Sequence, residues 1–212
     1  MKYSAILFDL DGTLVQSIDL YLDAFREALQ EYNLETTEEE FVRWYMQGWH
    51  LQDVLEYFRK EETDVPNLRT RRDALYERLL RTKLEWLEGG EELLQHTAAN
   101  YPTGIVTGSW KSYVDALNTR TPVLPHIRTL VTADDMGKFM KPHPHGLLMG
   151  ADRLKIVPQD CLYIGDQLFD VEAARAAGME CCLYVGKHTP HEARRDANHI
   201  VTDLTAIKRI IG

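Results

Sequence analysis

Residues 5–14 of the chain are AILFDLDGTL, a short apolar run that ends at two aspartates, a glycine and a threonine. A run of this length bounded by polar residues is typical of a strand buried on both faces of a parallel sheet. Because residues two apart in an extended chain point the same way, Asp9 and Asp11 can project together while Leu10 turns into the core. The carboxyl end of such a strand is where open α/β sheets bind ligands. The stretch therefore predicts a functional site at this strand end.

The two carboxylates also predict a cation. Asp9 and Asp11 repel each other unless a cation or a shared proton compensates their charge. A hard, oxygen-seeking ion such as Mg²⁺ is the natural compensator, and Gly12 permits a sharp turn as the strand ends. A polar turn is the alternative interpretation. However, Asp-x-Asp-Gly-Thr is expected by chance only on the order of once in two hundred chains of this composition.

Similar short apolar runs recur later in the chain, at residues 103–107, 129–133, 161–165 and 180–185. Helix-length segments separate them, which is the alternation typical of a parallel α/β sheet. The alanine-rich segment 171–177 is one such helix, and it is expected to end before Gly178, a favourable residue just beyond a helix.

Residues 15–88 have a different character, with 17 acidic and 10 basic residues and three of the four tryptophans, but no strand-like run. Apolar side chains recur there at the spacing of one helix face: Ile18, Tyr21, Leu22, Phe25, Ala28, Leu29 and Tyr32. Thr37 and Glu40 predict a capping box that opens a second helix. Further helices are expected at 50–60 and 68–86, and Trp44, Trp49 and Trp86 are expected in the apolar core of this segment.

The chain is therefore expected to comprise an α/β core at 1–14 and 89–212 and an all-helical segment at 15–88, inserted after the first strand. Hinges between the two are predicted near Val15–Ser17 and Glu88–Gly90, with Gly89-Gly90 as a flexible return.

Composition narrows the class of protein. With 44% apolar and 27% charged residues, the 212-residue chain is typical of a globular protein rather than a disordered or collagen-like one. The net charge of −9 argues against nucleic acid or a membrane surface as the main partner. No apolar stretch has the ~20 residues of a membrane span. The three cysteines are expected to be buried, unpaired side chains in a reducing compartment, so a cytoplasmic location is predicted.

Three later motifs follow predicted strands or turns. Thr107-Gly108-Ser109 comes after the second strand, where Ser109 could cap a helix whose N-terminus favours an anion. Lys141 precedes a proline, and a buried group of carboxylates needs such a cation, with Lys138 as a rival. Asp166, four residues before Asp170, follows another strand on the same sheet edge as Asp9. Taken singly, each motif has a common structural explanation as a turn or a helix cap.

In this order the four motifs resemble those of the haloacid dehalogenase-like hydrolase superfamily, specifically its phosphatase branch with an inserted helical cap, of phosphoglycolate phosphatase type. Residues 1–14 and about 89–186 resemble the family by motif, whereas 15–88 do so only by position and helical character. The resemblance implies a Rossmann-like sheet and a Mg²⁺ cofactor. The aspartate at position 11 favours phosphate esters over carbon–halogen bonds. One departure is His145, which stands where the family often has an aspartate.

The resemblance implies a role for each motif. Asp9 would be the nucleophile and Asp11 the general acid/base, while Lys141 and Thr107 would balance the charge of the phosphoryl group. The Thr107 hydroxyl would donate to a phosphoryl oxygen. Mg²⁺ would be bound by the Asp9 carboxylate, the Asp11 backbone carbonyl and Asp166. The residues expected in support are Asp170, Gly12, Thr13, Gly108 and Ser109.

The expected function is hydrolysis of a small phosphorylated metabolite. Arg43, Trp49 and His50 of the helical segment are candidate substrate contacts, although packing or solvent exposure explains them equally well. Two alternatives stay open: a phosphosugar mutase of β-phosphoglucomutase type, and a non-catalytic binding or regulatory protein on the same fold. The pattern does not predict an oligomeric state.

Overall fold

The structure is a computed structural model that describes residues 2–46, 51–60 and 64–212. Its strands are β1 (Ala5–Phe8), β2 (Thr103–Val106), β3 (Thr129–Val131), β4 (Cys161–Gly165), β5 (Glu180–Tyr184) and β6 (His199–Val201). They form one parallel sheet in the order β3-β2-β1-β4-β5-β6, which is the Rossmann-like order. The predicted α/β fold is confirmed. Strand β6 was not predicted; it lies at an edge of the sheet and its Ile200 is exposed, so it lacks a buried apolar run.

Helices cover the sheet and form the inserted segment: α1 (Ile18–Gln30), α2 (Glu38–Met46), α3 (Leu51–Tyr57), α4 (Val65–Lys83), α5 (Gly90–Asn100), α6 (Lys111–Leu117), α7 (Ala133–Met136), α8 (His145–Leu154), α9 (Leu168–Ala177) and α10 (Ile207–Ile211). Alternate residues of β1 enter opposite apolar clusters. Ile6 and Phe8 pack in one cluster, and Leu7 packs in the other. This burial of both faces explains why the first strand is a continuous apolar run.

Helices α1–α4 lie between β1 and α5, and we call residues 15–88 the helical lobe. The predicted capping box is present at the start of α2. The Thr37 amide donates to Glu40 Oε2 at 2.9 Å, and the Glu40 amide donates to Thr37 Oγ1 at 3.2 Å. Trp44 is buried in the apolar cluster and Trp86 is partly buried against it, while Trp49 lies outside the described residues.

The two chain segments that join the lobe to the sheet run side by side. The amide of Leu87 donates to the Leu14 carbonyl at 2.9 Å, and the amide of Gln16 donates to the Glu85 carbonyl at 2.9 Å. A Cβ atom at Gly90 would lie 2.6 Å from the Leu14 carbonyl oxygen. The glycine predicted to give a flexible return is therefore required for close packing of the two segments.

The sheet register brings three strand ends to one edge. Phe8, the last residue of β1, is level with Ile105 of β2 and Ile164 of β4. The residues that follow, including Asp9 and Thr107, therefore emerge together at the carboxyl edge of the sheet, beside the point where the strand order reverses.

The three cysteines are buried and unpaired, as expected for small apolar side chains. Within the described ranges, no helix is both long and apolar enough to cross a bilayer.

Candidate active site

A buried ammonium group joins two carboxylates at this edge. Lys141 Nζ lies 2.6 Å from Asp9 Oδ1 and 2.6 Å from Asp170 Oδ1, and its side chain is only 3% exposed. The hydroxyl of Tyr163 lies 3.0 Å from the same nitrogen. Lys138, the rival lysine, is exposed, and its ammonium lies over the ring of Phe139. Of the two lysines, Lys141 therefore has the contact with Asp9.

Burial dominates the electrostatics of this group. It raises the pKa of Asp9 well above the ordinary value, a shift that Lys141 opposes and that Asp170 reinforces. Burial alone would lower the pKa of Lys141, but the carboxylates of Asp170 and Asp9 reverse this effect, and its pKa is raised above the ordinary value. Lys141 therefore stays charged at neutral pH, and one positive charge faces several acidic groups.

Asp166 is the third carboxylate of the edge and is 1% exposed. Thr13 Oγ1 donates to its Oδ1 at 3.0 Å, and Gln167 Nε2 donates to its Oδ2 at 2.6 Å. Burial and the neighbouring Asp170 raise the pKa of Asp166 to about 7. Gly12 allows the close approach, because its φ is +79° and a Cβ atom there would lie 2.7 Å from Asp166 Oδ2.

The donor set fits a hard divalent cation. Carboxylate oxygens of Asp9, Asp166 and Asp170 lie within 4.8 Å of one another, and all three residues are buried. One ammonium group does not neutralise three carboxylates, and a set made only of oxygen atoms is what Mg²⁺ prefers. Buried carboxylates with raised pKa values are therefore consistent with a site that a cation completes.

Asp170 differs from the other two carboxylates because both of its oxygens are already engaged. Its Oδ1 accepts from Lys141 and from the Tyr163 hydroxyl, which lies 3.1 Å away. Its Oδ2 accepts from the backbone amides of Asp166 and Gln167 at 3.2 and 3.0 Å. These contacts suit a residue that orients Lys141 and the loop after β4.

Asp11 is held by three hydroxyl groups. Ser17 Oγ donates to Asp11 Oδ1 at 2.6 Å, while Ser109 Oγ and Thr107 Oγ1 donate to Oδ2 at 2.7 and 3.1 Å. The carboxylate is therefore oriented by one residue that follows β1 and by two residues that follow β2. In this arrangement the Thr107 hydroxyl points to Asp11, which is the group that the resemblance makes the acid/base.

The expectation that Ser109 caps the following helix is wrong. Its hydroxyl is used by Asp11, and the N-cap residue of α6 is Trp110. The first amide of α6, that of Lys111, instead donates to Asp134 Oδ2 at 2.7 Å. Gly108, between the two hydroxyl residues, is exposed. The Ser109 amide donates to Thr107 Oγ1 at 3.0 Å, which tightens this turn.

The negative charge of the site affects two tyrosines of the helical lobe, and the sequence pattern did not single them out. Burial, followed by the negative charge of Asp11, raises the pKa of both Tyr45 and Tyr76 well above the ordinary value. Both residues occupy apolar-face positions of their helices, so nothing in the pattern separates them from packing residues. Of the predicted lobe contacts, Arg43 is exposed on α2, and Trp49 and His50 lie outside the described residues.

A group of charged side chains connects the lobe to the loop after β5. Lys187 Nζ lies 3.1 Å from Asp19 of α1 and 2.9 Å from Glu38 of α2, and His188 Nε2 lies 2.8 Å from Asp19. A cavity of about 90 Å³ separates this group from the sheet edge, and Gly12, Ser17 and Asp166 contribute to its wall. The lobe and the α/β core therefore meet directly beside the cluster of carboxylates.

Comparisons with known proteins identify the family. The sequence pattern of the family described as haloacid dehalogenase-like hydrolase matches residues 6–184. The phosphoglycolate phosphatase of Xanthomonas campestris pv. campestris (strain 8004) is 32% identical over 181 residues, which cover 82% of this chain and 80% of that protein. Pyrophosphatase PpaX of Oceanobacillus iheyensis is 26% identical over 216 residues, which cover 100% of this chain and 98% of PpaX.

A solved structure gives the same result for the fold. The crystal structure of CbbY from Rhodobacter sphaeroides in complex with phosphate has a TM-score of 0.83 at 20% identity, covering 97% of this chain and 96% of CbbY. The matched range, residues 6–184, spans the positions of Asp9, Thr107, Lys141 and Asp166. The chain therefore belongs to the haloacid dehalogenase-like hydrolase family.

Proposed function

We propose that this chain, a phosphoric monoester hydrolase of its family, is a Mg²⁺-dependent enzyme that hydrolyses a small phosphorylated metabolite through an aspartyl phosphate. The observation that carries the proposal is the contact of Lys141 with Asp9 beside Asp166, at the end of β1. This contact supports the proposal because it brings the Asp9 carboxylate and a permanently charged ammonium group together beside a second carboxylate at the sheet edge.

In the first step, an oxygen of Asp9 attacks phosphorus, and the bond from phosphorus to the leaving oxygen breaks. Lys141 holds Asp9 Oδ1 at 2.6 Å and so fixes the carboxylate for this attack. Asp11 gives its proton to the leaving oxygen as that bond breaks. The product of this step is an aspartyl phosphate, which divides one difficult hydrolysis into two easier steps.

In the second step, Asp11 takes a proton from water, and the resulting hydroxide attacks phosphorus. The bond between phosphorus and Asp9 breaks, which releases inorganic phosphate and restores the carboxylate. The hydroxyls of Ser17, Thr107 and Ser109 orient Asp11 for both transfers. A carboxylate held at three points reaches the leaving oxygen and the water from one fixed position.

The charge of the phosphoryl group has to be balanced in a buried site. Lys141 supplies one permanent positive charge, since its pKa is raised by Asp170 and Asp9 against the effect of burial. The Asp9 carboxylate, the Asp11 backbone carbonyl and Asp166 would hold Mg²⁺. When bound, the ion would stabilise negative charge on the phosphoryl oxygens.

The helical lobe would act as a cap that excludes water and selects the leaving group. Burial and the negative charge of Asp11 raise the pKa of both Tyr45 and Tyr76, and the lobe carries most of the negative charge of the chain. A leaving group with little negative charge suits this surface. The relatives named above act on phosphoglycolate and pyrophosphate by name, so the names point to phosphate release and leave the leaving group open.

A panel of phosphate monoesters tests the proposal, with released phosphate measured in Mg²⁺ and in EDTA. We expect turnover of several small phosphate monoesters in Mg²⁺ and loss of turnover in EDTA. The hexose phosphates are also analysed for isomerised sugar phosphate, which would identify a mutase instead. Turnover that is unchanged in EDTA, or none across the panel, would contradict the proposal.

A further inference from the structure

Gln167 is a buried polar residue that the mechanism above does not use. Its side chain is 2% exposed, and its amide nitrogen carries two hydrogens. Two acceptors lie within reach of that nitrogen: Asp166 Oδ2 at 2.6 Å and the backbone carbonyl of His188 at 3.4 Å. The backbone of Gln167 is held as well, because its amide donates to Asp170 Oδ2 at 3.0 Å. The side chain is therefore fixed in one orientation.

The contact with Asp166 is one half of a clamp. Gln167 donates to Oδ2 of this carboxylate and Thr13 donates to Oδ1. Each carboxylate oxygen has two lone pairs, so both can accept a hydrogen bond and still bind a cation. The clamp sets the direction of the remaining lone pairs before any cation arrives.

The second contact of the Gln167 side chain, with the His188 carbonyl, joins it to a loop outside the carboxylate cluster. His188 lies in the loop after β5, and its ring nitrogen lies 2.8 Å from Asp19 of the helical lobe. Gln167 thus connects Asp166 with the loop that meets the lobe.

We propose that Gln167 is a positioning residue for Asp166, which fixes the carboxylate orientation that binds a divalent cation and anchors it to the His188 loop. The inference rests on the cation site of the proposed function. Groups that orient metal ligands typically change metal affinity by about 10–100-fold when they are replaced. A role in packing alone would change thermal stability and leave the affinity of the folded protein unchanged.

The test measures Mg²⁺ binding without substrate. Mg²⁺ is titrated into the EDTA-treated and dialysed full chain by calorimetry, for the wild type and for Gln167→Met, which keeps the length but removes both donors. Thr13→Val removes the other half of the clamp. Thr97→Val is its matched control, because Thr97 is also fully buried but donates to the Leu94 carbonyl, away from the site. Melting temperatures in EDTA report the stability of each variant.

We expect the Mg²⁺ dissociation constant to rise roughly tenfold or more in Gln167→Met and in Thr13→Val, and to stay at the wild-type value in Thr97→Val. Wild-type Mg²⁺ affinity in folded Gln167→Met would overturn the inference. If Gln167→Met does not fold, Gln167→Asn takes its place with the same two outcomes, since the shorter amide does not span both acceptors. Failure of the wild type to bind Mg²⁺ would instead contradict the proposed function.

Discussion

Lys141 Nζ donates to Asp9 Oδ1 at 2.6 Å, although 132 residues separate the two in the chain. Both side chains are almost completely buried, at 3% and 6% exposed. Burying a charge without a partner is costly, so each group stabilises the other by supplying the opposite charge. The pair also connects the first strand with the turn before α8, and thus fixes Asp9 relative to the rest of the edge.

Replacing Lys141 should therefore cost both stability and activity. In Lys141→Met the buried carboxylates lose their cation, and we expect a loss of about 3–5 kcal/mol in the free energy of unfolding in EDTA. Phosphatase turnover should fall by roughly 10²–10³-fold, because a fixed charge near the phosphoryl group is removed. Denaturant unfolding and steady-state kinetics at saturating Mg²⁺ measure the two effects.

Lys138→Met is the matched control, since Lys138 is exposed three residues earlier. We expect its stability to remain within about 0.5 kcal/mol of the wild type and its turnover to be close to normal. Equal losses in the two variants would contradict the assignment of Lys141.

Asp166 should make the stability of the cation-free protein depend on pH. Its pKa is raised from 3.8 to about 7 by burial and by Asp170, so between these values the folded state binds a proton that the unfolded chain has released. The stability that this group contributes is therefore fully present below about pH 4 and is lost as the pH rises through about 7. In EDTA, the melting temperature should fall across this range.

Calorimetric scans at several pH values measure this fall. Asp166→Asn should flatten it by several degrees, given that about 1 kcal/mol corresponds to ~2–4 °C in a chain of this size. Asp152→Asn, a change at an exposed position of α8, should keep the wild-type slope. Parallel slopes for wild type and Asp166→Asn would show that Asp166 does not carry the dependence.

Ser17 should affect turnover through Asp11. Its hydroxyl donates to Asp11 Oδ1 at 2.6 Å, and a hydrogen bond to a charged group contributes about 1.5–3 kcal/mol. We expect Ser17→Ala to lower kcat by roughly tenfold or more, with a smaller change in KM, because the loss concerns proton transfer. Ser112→Ala, on the exposed side of α6, is the control. A normal kcat in Ser17→Ala would exclude this positioning role.

The ion pairs between Lys187 and the lobe should contribute weakly to cap closure. Lys187 and Asp19 are 60% and 55% exposed, and exposed pairs contribute only about 0.2–1 kcal/mol. We expect Lys187→Glu to reduce kcat/KM by roughly twofold to fivefold at low salt. Adding Asp19→Lys should recover part of this loss, and high salt should remove the difference.

An ion pair on the surface of the α/β core provides the control for this prediction. Arg175 pairs with Asp196 and is 65% exposed, so Arg175→Glu should leave kcat/KM unchanged. A Lys187→Glu effect that persists at high salt would show that the contact acts by something other than charge.

The sheet and the strand-end motifs could be predicted from the sequence because both depend on local patterns. The strand before Asp9 is recognisable as a short apolar segment with a polar end. The register of the parallel strands then brings Thr107 and Asp166 to the same edge as Asp9. Motif order added the resemblance to the family, which the match over residues 6–184 confirms.

Other features were beyond sequence reasoning because they depend on tertiary contacts. Tyr45 and Tyr76 have the helical spacing of core residues, so the effect of Asp11 on their pKa values follows only from the tertiary packing of the lobe. Ser17 looks like an ordinary polar residue before a helix. The hydrogen-bond partners of the Ser109 and Gln167 side chains could not be predicted from the sequence either. A serine after a strand, for example, can cap a helix or bind a carboxylate.

The proposed role of Asp9 as the nucleophile can be tested with a single substitution. Turnover of p-nitrophenyl phosphate in Mg²⁺ is measured for Asp9→Asn and for Asp152→Asn, with circular dichroism to show that both variants fold. We expect Asp9→Asn to lose turnover by at least about 10³-fold, because an amide cannot form the phosphorylated intermediate, and Asp152→Asn to keep it. Wild-type turnover in folded Asp9→Asn would show that Asp9 is not the nucleophile.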